Sequence, residues 1–383
     1  MKRIIFILLI IVTSLIVFSA LIFASDTINV KDYIKDKFPP AFNLQLSSLN
    51  DLDSYEKEFI DLLEKLPEEE QECYAKLVYE YGFCQEILEI VKEGKPIAVY
   101  VDAYDKALNL TEKREYKNAL PYLEIATETD VSSLKAEAYH GIGLCYGELK
   151  SYTKAIEAYK QAILFKPNHI IAHYNLGVVY YKLGFYEDAT EQYKQVISIN
   201  SDYADSYYGL GLVYYTLGFN EDAIDEYKQA IRINPDNSKY YCNLGVSYHS
   251  LGFYEDAVKA YKEAIRIDPN YIITYSNLGA TYFSLGFYED AIDAFKQAVN
   301  VNPGNARSHY NLGVAYYNLG FNKNAIEEYK QATRIDTDYA SAHNALGFAY
   351  YKIGDRNSAL NEYKILKGLD INKANELFDF IYK

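Results

Sequence analysis

A chain of 383 residues, 50% hydrophobic, is long enough to bury an extended apolar core. Its net charge of −15 argues against nucleic acid and anionic membrane surfaces as partners. No paired Cys-x-x-Cys, Gly-rich phosphate loop or nucleophile elbow occurs, so the common signatures of catalysis and cofactor binding are missing.

In chain order, Lys2 and Arg3 precede an almost wholly apolar run, Ile4–Ala24, of about the length that crosses a bilayer. Residues 1–24 read as a signal-anchor, with Lys2 and Arg3 inside and the rest of the chain outside the cytoplasm. Membrane contact is then through residues 4–24 only. The alternative is a signal peptide cleaved after Ala24 and a secreted chain, although Ile22 makes a mediocre cleavage site. No Cys lies near enough for a lipoprotein anchor. Residues 25–49, with Pro39-Pro40 and no periodicity, read as a linker. Residues 50–99 form an acidic helical head region. One helix runs Asp53–Lys65, a second starts at Pro67 before Glu68, Glu69 and Glu70, and a third ends at Gly94. Cys73 and Cys84 flank Gly82; in an exported chain they could form a disulfide, provided the chain turns between them.

From Ala136 the chain repeats itself every 34 residues without insertion. Seven units follow: 136–169, 170–203, 204–237, 238–271, 272–305, 306–339 and 340–373. Numbering each unit from 1, apolar residues at positions 4, 7, 8 and 11 mark one face of a first helix. Gly at position 15 (Gly184, Gly218, Gly252, Gly286, Gly320, Gly354) ends it. Acidic pairs at 18–19, such as Glu221-Asp222, open a second helix whose buried face carries positions 20, 24 and 27. Pro167, Pro235, Pro269 and Pro303 at position 32 close it. A Gly at position 8 inside the first helix recurs in all seven units and demands close helix packing. Residues 100–135 are a degenerate copy, with Ala107 in place of that Gly and Ala119, Leu123 and Ala126 at positions 20, 24 and 27.

Period, helix–turn–helix reading and the pattern aromatic-x-x-Leu-Gly-x-x-Tyr…Ala…Tyr-x-x-Ala…Pro resemble the tetratricopeptide repeat over Ala136–Lys373. Lys150, Ser201, Thr337, Leu366 and Ile371 depart from it, mostly in terminal units or at junctions. The resemblance implies an all-α fold, a right-handed α-α superhelix, with residues 374–383 as a C-terminal capping helix. It also implies that positions 2, 5, 9, 12 and 13 of the first helix line a concave groove that takes a protein or peptide.

The groove residues expected on this basis are Tyr174, Tyr208 and Tyr310 at position 5, and Tyr181, Tyr215, His249, Phe283, Tyr317 and Tyr351 at position 12. Beside them stands a row of asparagines at position 6: Asn175, Asn243, Asn277 and Asn311. The competing reading is that a tightly wound superhelix buries part of this stripe, position 9 above all, against itself. No unit has the Lys at 5 with Asn at 9 that the family's carboxylate clamp needs. The asparagine row resembles that of O-linked N-acetylglucosamine transferases, but the ten residues after the repeats leave no room for their catalytic domain. His173, His309 and His343 at position 4 read as packing aromatics rather than metal ligands. Lys at position 25 follows an acid at 22, as in Asp225–Lys228 and Glu327–Lys330, and reads as a surface ion pair. No catalytic residue, cofactor or metal is expected. The function expected is a membrane-tethered, non-catalytic scaffold; the alternative is an adaptor subunit of an envelope enzyme or export complex with its groove permanently occupied. The sequence leaves partner and oligomeric state open.

Overall fold

The computed structural model describes residues 65–67, Glu70, Cys73 and 96–382. The apolar run 4–24, the linker, the Asp53–Lys65 helix up to residue 64, and Cys84 lie outside the described residues. Among the described residues there are 17 α-helices and no strand, and no helix is long and apolar enough to cross a membrane.

The chain divides into two compact units, Met1–Asp188 and Ala189–Lys383. The first contains α1 (Ala98–Glu112), α2 (Tyr116–Ala126), α3 (Ser132–Glu148), α4 (Tyr152–Phe165), α5 (Ile170–Leu183) and the start of α6 (Tyr186–Ile199). The second contains the rest of α6 and six further pairs or caps. These are α7 (Ala204–Thr216) with α8 (Asn220–Ile233), α9 (Ser238–Ser250) with α10 (Tyr254–Ile267), and α11 (Ile272–Ser284) with α12 (Tyr288–Val301). Then come α13 (Ala306–Asn318) with α14 (Asn322–Ile335), α15 (Ala340–Lys352) with α16 (Arg356–Leu369), and finally α17 (Ile371–Tyr382). From α1 to α5 and from α7 to α17 each helix packs on its neighbours in chain order, which is the stacking a two-helix repeat requires.

The recurring Gly at position 8 has a definite structural cause. A Cβ on Gly211, Gly245, Gly279 or Gly313 would stand 2.5–2.6 Å from a ring carbon of Tyr227, Tyr261, Phe295 or Tyr329, respectively. One edge of the aromatic ring at position 24 therefore presses against the bare backbone of the first helix, and each of these rings is buried. In the last repeat Leu377 of α17, not the ring at position 24, covers Gly347. The glycines at position 15 adopt φ of 79–86°, the left-handed turn that ends the first helix. Arg114 and Lys150 make the same turn at φ 61° and 58° in the two repeats that lack the glycine.

Proline is not the only device that closes the second helix. At position 31, Asn200, Asn234, Asp268, Asn302, Asp336 and Asp370 each accept a hydrogen bond from the backbone N–H two residues on, at 3.0–3.3 Å. This Asx turn forms with or without the proline, so Ser201, Thr337 and Ile371 are tolerated. The capping helix also starts earlier than its expected boundary at 374: Ile371 opens α17, with Asp370 accepting from the Asn372 and Lys373 N–H groups. At the other end Glu70 is buried and accepts from the Ile97 N–H at 2.9 Å. It thus caps α1 from 27 residues away, a role beyond the helix-start signal that the acidic run suggests. Cys73 lies in the same first-unit core as Ile97, Leu123 and Cys145.

Candidate functional site

In the second unit, the first helices of the last two repeats carry their positions 2, 5, 9 and 12 onto one face. There α13 and α15 enclose a pocket of about 380 Å³ lined by Tyr310, Val314, Tyr317, Ser341, Asn344 and Phe348, with Tyr329 as floor and Lys373 at the rim. The wall combines flat aromatic faces with a hydroxyl, an amide and an ammonium group. Such a surface can cover apolar side chains and hydrogen-bond to the backbone of an extended chain. Lys373 is held by Asp370, 2.9 Å away. Tyr310 is fixed between the Tyr329 and Tyr339 rings, at centroid distances of 5.9 and 5.3 Å, so this part of the wall is preformed.

Of the expected groove residues, the structure brings Tyr310 and Tyr317 together here. The others are spread along the two units, and none is fully exposed. Three of the position-12 aromatics are half-buried against the Tyr at position 17 of their own repeat: Tyr181 on Tyr186, His249 on Tyr254 and Phe283 on Tyr288, at 5.1–5.8 Å. His249 also hydrogen-bonds Thr281 at 2.9 Å. Tyr215 packs against the core around Leu244, and Tyr174 is half-buried in the first unit. Tyr351 is half-buried with Phe380 of α17 5.0 Å away, and the same ring meets Phe348 at 4.6 Å, so the capping helix borders this end of the face.

The asparagine row is already engaged in part. Asn243 donates to the Tyr208 hydroxyl at 3.1 Å, Asn277 faces the Cys242 sulfur at 3.9 Å, and Asn175 stands 3.1 Å from His140 Nε2. In each case position 6 reaches back to position 5 of the preceding repeat. These amides stitch neighbouring first helices together and have that much less capacity for a ligand. Asn311 is half-buried and outside the pocket lining.

The first full repeat presents the equivalent face very differently. Glu137 at position 2, His140 at 5 and His169 at 34 place their donor atoms within 4.8 Å of one another. Position-4 histidines give no hint of this cluster. Glu137 meets Lys166 at 3.2 Å and His169 Nε2 at 3.2 Å. The His169 contact is close but misaligned, since Nε2 makes no well-directed hydrogen bond. His169 Nδ1 accepts from the Ala172 N–H at 3.3 Å as the cap of α5, which places the ring proton on Nε2, facing the carboxylate. The lone pair that a cation would need on Nε2 is therefore absent, and Lys166 already supplies the positive charge. The trio is a charge cluster closed on itself. Burial pushes the Glu137 pKa up, but the close approach of His169, with the Lys166 ammonium, outweighs it and holds the group at about 2. Burial and the nearby His169 hold His140 at about 4.

The profile of the TPR repeat family matches six successive windows, residues 143–184, 180–218, 217–252, 247–286, 279–320 and 322–354, more than half of the chain. The chain belongs to the tetratricopeptide repeat (TPR) family. No curated protein matches it. Among solved structures, a TPR protein from Parabacteroides merdae is 17% identical, with 66% of this chain and 98% of that one aligned at a TM-score of 0.52. That likeness shows the fold. MamA is 30% identical over 42% of this chain and 95% of its own, at a TM-score of 0.40. YrrB, described as a TPR protein with an unusual peptide-binding site, is 25% identical over 50% and 98%, at 0.42.

Within this TPR array the position-4 histidines are more than packing aromatics. His309 Nδ1 meets Glu328 at 2.7 Å while Nε2 meets the Pro303 carbonyl at 3.0 Å; His343 repeats the arrangement with Glu362 at 2.6 Å and the Thr337 carbonyl at 3.0 Å. Both ring nitrogens of each histidine thus face acceptors. The hydrogen bond to Glu362 raises the His343 pKa against the opposing effect of burial. The lysines at position 25 also meet an aromatic ring. Lys228, Lys262, Lys296 and Lys330 sit 5.8–6.0 Å from the Tyr ring at position 11 of the next TPR, in cation–π contact. Lys330 keeps its Glu327 partner at 3.6 Å.

Proposed function

We propose that this TPR protein is a non-catalytic scaffold that holds an extended segment of a partner protein against the groove face of its last two repeats. The observation that carries this reading is the pocket between Tyr310, Tyr317 and Phe348, with Ser341, Asn344 and Lys373 at its edge. Aromatic side chains offer large apolar contact at low conformational cost, and they dominate the energetics of protein recognition. The polar groups read backbone and one anionic or carbonyl group rather than a long sequence. The apolar run Ile4–Ala24 supports tethering to the cytoplasmic membrane with the repeats outside the cytoplasm.

The test is the double variant Tyr317→Ala with Phe348→Ala in the full-length chain, expressed in its native envelope. Loss of the partner bands captured by the wild type, with the melting profile kept, is the expected result. Undiminished capture by a folded variant overturns the groove reading. A reporter active only in the cytoplasm, fused after Lys383, tests the placement: full activity there contradicts export.

A further inference from the structure

A second surface lies at the turn between the two helices of each repeat. In the second unit, position 16 is Phe219, Phe253, Phe287 and Phe321, and these rings are 51–55% exposed. They occupy the same place in four successive TPRs. Each is the N-cap of its second helix and makes no side-chain capping bond, so the site gives up the polar residue that a helix start prefers.

The turn itself does not require a phenylalanine. In these repeats the Phe N–H donates to the carbonyl of the Tyr at position 11 at 2.9 Å, and Phe253 and Phe321 touch that Tyr edge-on. An apolar residue commonly makes such a contact after a left-handed helix end. The last repeat makes the identical turn with Asp355, bonded to Tyr350 O at 2.9 Å, and there the side chain also caps Ser358 N–H at 3.0 Å. The first full repeat makes it with Ser151. The middle repeats thus keep an exposed ring where the end repeats carry polar residues.

Charge beside the ridge indicates its occupant. Glu221-Asp222, Glu255-Asp256 and Glu289-Asp290 follow the first three rings and are exposed. The helix dipole accounts for one row of acids. Lys259 pairs with Asp256 at 2.9 Å; among the described residues no ion pair is found for the other five. A second copy of this chain would bring an identical acidic row onto this one, and an anionic membrane would be repelled in the same way.

We propose that the ridge Phe219–Phe253–Phe287–Phe321 is a docking edge for a cationic amphipathic segment of a partner protein. Its apolar residues cover the rings and its Lys or Arg residues meet the acids alongside. This surface is separate from the groove.

The chain has no Trp, so a peptide carrying one Trp reports its own binding without background from the protein's Trp. The probe is an 18-residue Leu/Lys amphipathic helix with a single Trp, titrated into the full-length chain. Saturable binding is expected. The variant Phe219→Ser, Phe253→Ser, Phe287→Ser should bind at least tenfold more weakly, with the melting point within about 2 °C because Ser suits an N-cap. A second variant keeps the rings: Glu221→Gln, Glu255→Gln, Glu289→Gln should weaken binding several-fold and flatten its salt dependence. The groove variant Tyr317→Ala with Phe348→Ala should bind the probe as the wild type does. The proposal is overturned if the wild type fails to saturate, or if the triple Phe variant binds within twofold. Equal binding of a Leu/Glu peptide, or self-association of the wild type that the Phe variant abolishes, overturns it too.

Discussion

The groove face of the first full repeat and that of the last two are built from the same positions and behave as opposites. At positions 2, 5 and 34 the first repeat has Glu137, His140 and His169, and with Lys166 these satisfy one another. The seventh repeat has Ser341, Asn344 and Lys373 there, and they rim a pocket of about 380 Å³. One backbone pattern therefore yields a closed charge cluster or an open aromatic pocket, depending on three side chains. Repetition sets where a side chain points; composition at those few positions sets whether a partner can use it.

The largest effect should come from removing the close contact under the pocket. Gly313→Leu drives a side chain into the Tyr329 ring, whose edge already stands 2.6 Å from where a Cβ would be. A loss of about 3 kcal/mol is expected, at the upper end of overpacking costs, together with loss of the pocket floor. Chemical denaturation and partner capture measure the two. Retained capture with the full stability loss would separate floor from site.

Next is the charge cluster. Glu137→Gln removes the counter-charge of Lys166 and the carboxylate that faces His169 Nε2, and should destabilise the first unit by about 1–2 kcal/mol. The pH dependence sharpens the contrast. Glu137 is held at about 2, below its ordinary 4.5, so its contribution is complete above pH 4.5 and is lost as pH falls toward 2. His140 is held at about 4, so its contribution is complete above pH 6.5 and is lost as pH falls through 4. His343 is raised above 6.5, so its contribution is complete below pH 6.5 and is lost as pH rises through the raised value. Amide exchange should therefore show α3 loosening on the acid side and α15 on the alkaline side. The same slope at both ends would contradict these assignments.

A smaller effect is expected at the asparagine row. Asn243→Ala breaks its bond to the Tyr208 hydroxyl and should cost about 0.5–1.5 kcal/mol without changing partner capture. A stable variant that loses the partner would restore the asparagines to the binding surface.

The repeat was legible because it is periodic. The Gly at 8, the Ala at 20 and the left-handed Gly at 15 are local or pairwise demands of packing, and each recurs often enough to stand out. That positions 2, 5, 9 and 12 share one face was legible for the same reason, and at the last two repeats residues from these positions line one pocket. What stayed hidden depends on neighbours across repeats. The Asn at 6 looks available until the group at position 5 of the preceding helix is placed beside it. Tyr351 looks like its equivalents until α17 sets Phe380 against it. Glu137, His140 and His169 are 32 residues apart at the extremes, and only stacking of α3 on the start of α5 joins them. The Asx turn at position 31 could have been read, since Asn or Asp recurs there in six repeats. The phenylalanine row at position 16 was equally visible, but exposure is a property of the fold.

The most direct test of the central contrast places one photocrosslinking residue on each face. Benzoylphenylalanine replaces Phe348 in one full-length variant and Leu144, the same position of the first full repeat, in another. Irradiation of cells that produce each variant should give a partner adduct from position 348 and none from 144. Equal adducts from both positions, or an adduct from 144 alone, would contradict the assignment of the open and closed ends of the groove face.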